Sequence, residues 1–286
     1  MKIHKIRSSL SNYISIILFN KRLPISYCLF NYFFNKLIVN KNNLNNILKA
    51  FNEDGYTKID KIFSDEVDII NENKIVKEKF TNRVVYDLPQ DIKLELIKKL
   101  NNKLDGLLND LKKYYYSDVN IVDTSIWTNY KPKEVSPDKE YFSERFHCDG
   151  YISNYIKIHI NLMDVDETCG PLNIISKKIN KKFIKDFNYK NRNYYNNKNN
   201  YDYIYSNVGK KGEAILFDST NCFHRATIPE NHRSMMQLIL FVSPFQKTRK
   251  MNNLSNLDYV NFAKPVGITN VLSLFAKYFK NKLSFN

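Results

Sequence analysis

Apolar residues recur at helical spacing between Asp91 and Tyr115. Leu94, Ile97, Leu100, Leu104, Leu107, Leu108 and Leu111 follow a 3.6-residue period, which predicts a long amphipathic helix laid on a core. A shorter helix is predicted over residues 43–53, ending at the Gly55 turn. From Tyr155 onward the period changes to two. Ile156, Ile158, Ile160 and Leu162 alternate with Lys157, His159, Asn161 and Met163, as in a strand with two unlike faces. Asn120–Tyr130, which carries the single Trp127, Ala214–Phe217 and Met235–Val242 are further predicted strands. Lys131–Tyr141, with Pro132 and Pro137, reads as a loop, and Gly170-Pro171 as a turn.

These patterns divide the chain into three parts. Residues 1–45 form a basic extension with apolar patches. Its run Tyr13–Phe19 is short, and the run from Ile25 to Val39 is interrupted by Asn31, Asn35 and Lys36. Neither reaches the ~18–20 apolar residues that span a bilayer, and no small-residue cleavage site follows. A helical extension packed on the domain is expected. Residues 46–250 hold the domain itself. Within it, 177–207 is a Lys-, Asn- and Tyr-rich polar insertion, expected to be a flexible lid or partly disordered. Residues 251–286 form a helical tail, with a basic amphipathic stretch from Ile268 to Leu283.

Composition changes this picture only at the margins. The chain has 286 residues, enough for one substantial domain with extensions. The formal charge of +15 comes from 44 basic and 29 acidic residues. Lys, Asn, Ile and Tyr are enriched together, which favours compositional drift over a polyanion site, and no nucleic-acid module is visible. No specific nucleic-acid partner is expected. The basic termini remain candidates for peripheral membrane contact. Cys28, Cys148, Cys169 and Cys222 form no C-x-x-C pair, so a reduced, cytoplasmic setting is expected.

The chemistry lies in a few positions. His147, Cys148 and Asp149 form an H-x-D triplet. In extended backbone, residues i and i+2 share a side, so His147 and Asp149 can hold one ion while Cys148 points away. His224, on a distant predicted strand, supplies a third ligand, and Arg233 follows it. Two imidazoles and one carboxylate on one face of a metal leave the other face open, as O₂-activating Fe(II) enzymes require. The remaining histidines, His4, His159 and His232, read as surface or satisfied core residues. Helices first, then strands, with ligands on a strand end and a distal strand, fit a mainly β fold with flanking helices: a double-stranded β-helix, the cupin-like jelly-roll barrel.

Around these residues the chain resembles the phytanoyl-CoA dioxygenase-like family of Fe(II)/2-oxoglutarate-dependent oxygenases. Three blocks carry the resemblance, in order. Phe51–Ile59 followed by Phe63–Val67 is similar to the family's opening strand and capped helix. Arg145–Asp149, Ile156–Asp166 and Cys169–Leu172 are similar to its metal turn, core strand and Gly-Pro hairpin. Gly209–Asp218, Phe223–Ala226 and Arg233 are similar to its distal-His strand and cosubstrate arginine. The likeness spans about residues 46–245. It departs from the family at Ile174–Lys178, which lacks a His common there, and over 177–207.

The resemblance implies that His147, Asp149 and His224 bind Fe(II). It implies that Arg233 holds the distal carboxylate of 2-oxoglutarate, and that O₂ is consumed in hydroxylating a small-molecule, lipid or sugar substrate. Halogenating relatives lack the carboxylate ligand, so Asp149 argues for hydroxylation. Lys157 is left between a barrel-facing and a solvated position, and Asp218 is expected to stabilise the turn before His224. Two alternatives stand beside this. One is a non-catalytic binding or scaffold protein on the same fold, docking a membrane or polyanion through its basic termini. The other is a cupin-like metal enzyme without 2-oxoglutarate, in which Arg233 would matter little.

Overall fold

A computed structural model describes residues 44–60, 62–115, 119–136, 139–149, 155–186 and 202–242. The N-terminal extension through residue 43, His4, Cys28 and the C-terminal tail lie outside the described residues. Helix α1 (Asn46–Asp54) starts where the Asn45 side chain accepts from the Leu48 N–H at 2.8 Å. It stops at Gly55, whose N–H reaches the Phe51 carbonyl with φ of 83°. A Cβ on Gly55 would sit 2.4 Å from Cys222 Sγ, so glycine is needed for space as well as for backbone angle.

Strand β1 (Tyr56–Ile59) leads to α2 (Ser64–Asn73). The expected side-chain cap of α2 is absent. Phe63, at the cap position, is fully buried, and its N–H donates to the Gly212 carbonyl at 2.8 Å. Tertiary packing therefore anchors a helix start that has no capping side chain. Strands β2 (Ile75–Phe80) and β3 (Arg83–Asp87) form a hairpin, followed by α3 (Gln90–Tyr115).

Helix α3 buries Leu96, Ile97, Leu100, Leu104, Leu107, Leu108 and Leu111. Leu94 departs from the expectation: it is 50% exposed. At 100° per residue it lies about 100° around the helix from Leu111, near the middle of the buried stripe, whereas Leu96 lies only about 60° from it and takes the inward place. The buried stripe packs on Ile156, Ile158, Ile160, Met236, Leu238 and Leu240 in one cluster. At ~25 cal/mol per Å² of apolar surface removed from water, burial of this layer stabilises the domain.

The remaining strands are β4 (Val119–Tyr130), β5 (Tyr155–Asn161), β6 (Leu172–Ile175), β7 (Ile204–Ser206), β8 (Ala214–Asp218), β9 (His224–Ala226) and β10 (His232–Val242). The larger sheet runs β1-β8-β5-β10-β4-β3-β2 and the smaller β7-β6-β9. All pairings are antiparallel. An isolated bridge between His147 and His224 adds the H-x-D segment beyond β9. Two four-membered layers result, β8-β5-β10-β4 and β7-β6-β9 with the His147 segment. This is the double-stranded β-helix expected from the sequence. The layers meet where Leu172 and Ile174 of β6 pack on Ile215 and Phe217 of β8.

The expected polar insertion is partly built into this fold. A 3₁₀ turn (Lys177–Ile179) leads into α4 (Asn180–Asp186), which buries Phe183 completely against Phe146 and Phe223. Strand β7 near its far end completes the smaller sheet. One large aromatic ring outweighs the lysines around it, because those lysines extend into water while the ring is buried. Residues 187–201 lie outside the described residues. No helix among the described residues is long and apolar enough to cross a membrane.

Candidate metal centre

His147 and His224 stand directly opposite each other. The His147 N–H donates to the His224 carbonyl at 3.0 Å, and the His224 N–H donates to the His147 carbonyl at 2.9 Å. Residues opposed in this way project to the same face, and the ring centroids are 4.5 Å apart. His224 is also paired with Ile174, which packs toward the larger sheet. Both imidazoles therefore face the barrel interior. Asp149, two residues on, shares their side, and its N–H donates to the Ser219 carbonyl at 2.8 Å. Cys148 points the other way, into the cluster with Phe146, Phe183 and Phe223.

One ligand atom from each of His147, Asp149 and His224 lies within 4.8 Å of the others. Each Nε2 is 3.9 Å from an Asp149 carboxylate oxygen. The tautomers follow from the backbone. His147 Nδ1 is 2.8 Å from the Arg145 carbonyl, and His224 Nδ1 is 3.1 Å from the Cys222 carbonyl. A carbonyl only accepts, so both Nδ1 atoms carry the proton and both Nε2 atoms present a lone pair toward Asp149. That is how imidazoles are commonly oriented for metal binding. The turn before His224 is tied by Asp218, buried and accepting from the Asn221 N–H at 3.0 Å and from Asn221 Nδ2 at 2.6 Å.

The larger sheet supplies the rest of the interior. The apolar alternation of β5 faces the helices, so its polar partners face the barrel. Lys157 Nζ is 2.8 Å from Asp149 Oδ2, which places it at the H-x-D segment and not in solvent. His159 is buried with Nε2 2.9 Å from Gln237 Oε1. It is a core residue, but its Nδ1 has no partner among the described residues. His232 is exposed and stacks on Tyr130. Arg233 is 3% exposed on β10, and its Nη1 donates to the Gly170 carbonyl. Sequence reading passed over Arg83 and Asn129, which oppose each other across β3 and β4, with Arg233 next in the same row. The alternation of polar Ser125, Asn129, Arg233 and Gln237 with apolar Ile126, Met236 and Leu238 along β4 and β10 was the available signal.

Burial sets the electrostatics. It raises the Asp149 carboxyl, but the charge of Lys157 and the neighbouring imidazoles outweighs it and holds the group well below the usual carboxylate range. Burial pushes His224 down to about 4, with Lys157 adding to the effect and Asp149 opposing it. Burial and Lys157 push His159 down to about 3. Burial pushes Arg233 down to about 10, helped by the charge of Arg83.

A pH dependence follows. Both depressed histidines stay neutral in the native state where the unfolded chain protonates near its ordinary value of about 6.5. Their stability contribution is fully present above that pH and is lost as pH falls toward 4 and 3. Glu144, which burial pushes up to about 7, works in the opposite direction. The denaturation midpoint of metal-free protein should therefore fall more steeply from pH 7 to 5 in the wild type than in His159→Gln. Parallel profiles for the two proteins would contradict the assignment.

The fold is thus a double-stranded β-helix whose interior gathers a His-Asp-His group and buried basic side chains. No family model matches the chain, and no curated protein matches it. Among solved structures, HygX from Streptomyces hygroscopicus with nickel, 2-oxoglutarate and hygromycin B bound is 14% identical, with a TM-score of 0.45 over 72% of this chain and 90% of that chain. EctD from S. alaskensis with 2-oxoglutarate and 5-hydroxyectoine is 17% identical, with a TM-score of 0.43 over 72% of this chain and 80% of that one. SnoK, a non-heme α-ketoglutarate dependent carbocyclase from nogalamycin biosynthesis, is 12% identical, with a TM-score of 0.43 over 79% and 94%.

Proposed function

We propose that this chain is an Fe(II)- and 2-oxoglutarate-dependent oxygenase of the phytanoyl-CoA dioxygenase-like kind, hydroxylating an organic small molecule. The observation that carries it is the convergence of one donor atom from each of His147, Asp149 and His224 within 4.8 Å, with each Nε2 3.9 Å from an Asp149 oxygen. This donor set suits a divalent first-row metal: two neutral imidazoles, each fixed by a carbonyl, and a carboxylate kept ionised. Two histidines with one carboxylate, and no cysteine among them, are the ligands of an open non-haem iron site.

His147, Asp149 and His224 would hold the iron, and Arg233 the distal carboxylate of 2-oxoglutarate. Ferrous iron bound there supplies a centre at which O₂ converts 2-oxoglutarate to succinate and CO₂ and a substrate C–H bond to C–OH. The chain's own residues orient and shield. The Arg145 and Cys222 carbonyls hold the Nδ1 protons, so that neither ring can turn its lone pair away. Phe217 packs edge-on against His224 at 5.3 Å between centroids and limits water on that side. Lys157 neutralises excess negative charge at Asp149. Arg233 gives the cosubstrate a charged, planar fork at the buried end of the barrel.

Anaerobic titration with Fe(II) and then 2-oxoglutarate tests the reading. A weak visible charge-transfer band is expected, together with succinate release once O₂ and a suitable substrate are supplied. Folded protein that shows no band at saturating metal would overturn it.

A further inference from the structure

Arg83, Asn129 and Arg233 stand side by side on β3, β4 and β10, in one row across three paired strands. With strands about 4.8 Å apart, two guanidinium-bearing positions lie about 10 Å apart on one face. Neither guanidinium has a carboxylate within ion-pair distance among the described residues. Arg83 Nε donates to Asn129 Oδ1 at 2.7 Å, which obliges the amide to turn its Nδ2 the other way. That Nδ2, the Nε of Arg233 and the Nε1 of Trp127 have no acceptor among the described residues, although all three are buried. Trp127 lies two residues from Asn129 on the same strand, so it faces the same side.

Buried donors without acceptors, beside two cations without a counter-charge, are costly unless a ligand satisfies them. The acceptor they fit is an anion with several lone pairs. A carboxylate offers about four. Arg83 is also fixed in orientation. Its guanidinium lies 5.6 Å from the Trp127 ring and 5.4 Å from the Phe142 ring, and such stacking leaves the edge of the plane available for hydrogen bonds. Phe142 and Ser143 both have positive φ, 55° and 64°. Strained backbone is thus held in the loop that brings Phe142 to Arg83 and leads on to His147.

We propose that Arg83 is a second cosubstrate-binding guanidinium. With Arg233, Asn129 and Trp127 it forms a four-sided receptor for the distal carboxylate of 2-oxoglutarate, and it makes the site selective for a dicarboxylate over a monocarboxylate. The inference rests on the oxygenase reading and deepens it. Arg233 spends Nη1 on Gly170, so it addresses a ligand through its other edge, and Arg83 supplies the cation that this leaves to be added.

Calorimetric titration of the full-length, Ni(II)-loaded protein tests this with two probes, 2-oxoglutarate and 2-oxopentanoate. Arg83→Met should weaken 2-oxoglutarate binding by at least about 10-fold, the loss expected for one charged hydrogen bond. Binding of 2-oxopentanoate, which lacks the distal carboxylate, should change by less than about threefold. Arg83→Gln, which keeps a donor toward Asn129, decides the matter should the Met variant fail to melt cooperatively, and the same pattern is expected of it. Unchanged 2-oxoglutarate affinity, or an equal loss for both probes, would overturn the role of Arg83. Wild-type protein that loads Ni(II) and binds neither probe would overturn the parent reading as well.

Discussion

Replacing His224 with Ala should abolish metal-dependent activity and weaken Fe(II) or Mn(II) binding by more than about 100-fold. Loss of groups that merely orient a ligand typically costs 10- to 100-fold, so loss of a ligand itself should cost more. His224 is 4% exposed and shares its face with His147 and Asp149, so nothing nearby replaces its lone pair. Removing a buried, desolvated imidazole leaves room that an alanine does not fill, yet the apolar layer between α3 and the larger sheet is untouched. The variant should remain folded, with a change in melting temperature of only a few degrees. Equilibrium dialysis with Mn(II), beside a thermal melt, checks both halves. Retained metal affinity in a folded variant would move the metal centre elsewhere.

Arg233→Met should leave metal affinity within about threefold and weaken 2-oxoglutarate by roughly 10- to 100-fold or more, appearing as a raised KM for the cosubstrate. The separation between the two effects is the informative part. Arg233 sits on β10 in the larger sheet, whereas His147, Asp149 and His224 belong to the opposite layer, so the two proposed functions fall on different strands. If a cupin-like metal enzyme without 2-oxoglutarate were present instead, the substitution would change turnover little. Steady-state kinetics with varied 2-oxoglutarate, together with Mn(II) binding, distinguishes the cases. Arg233 is also buried without a carboxylate partner, so the Met variant should melt at the wild-type temperature or higher.

The legible part of this chain was periodic or chemically singular. The alternation Ile156, Ile158, Ile160 and the stripe from Leu100 to Leu111 announced a strand and a helix because burial acts on every second or every third to fourth residue. His147, Asp149, His224 and Arg233 stood out because so few residue types could serve the proposed chemistry. Lys157 remained ambiguous, since a lysine beside an apolar strand position reads the same whether it meets water or Asp149. Arg83 and Asn129 were missed for a related reason. Each is an ordinary polar residue until strand pairing sets it in a row with Arg233. Phe183 was hidden by the lysines and asparagines around it, and the hairpin of β2 and β3 by its lack of a clear two-residue alternation.

Taken alone, the amino-acid order determined the types of the strongly periodic elements, the i, i+2 sharing of a face by His147 and Asp149, and the donor atoms on offer. Those properties are local, set by backbone period and side-chain chemistry. Which face of β5 and β10 turns inward was decided only by tertiary structure, because α3 needs the apolar face and so leaves Lys157, His159 and Arg233 to the barrel interior. The meeting of His147 with His224, and of Arg83 with Arg233, was decided in the same way. Register between distant strands depends on the whole sheet closing around one core, and no window of sequence contains that information.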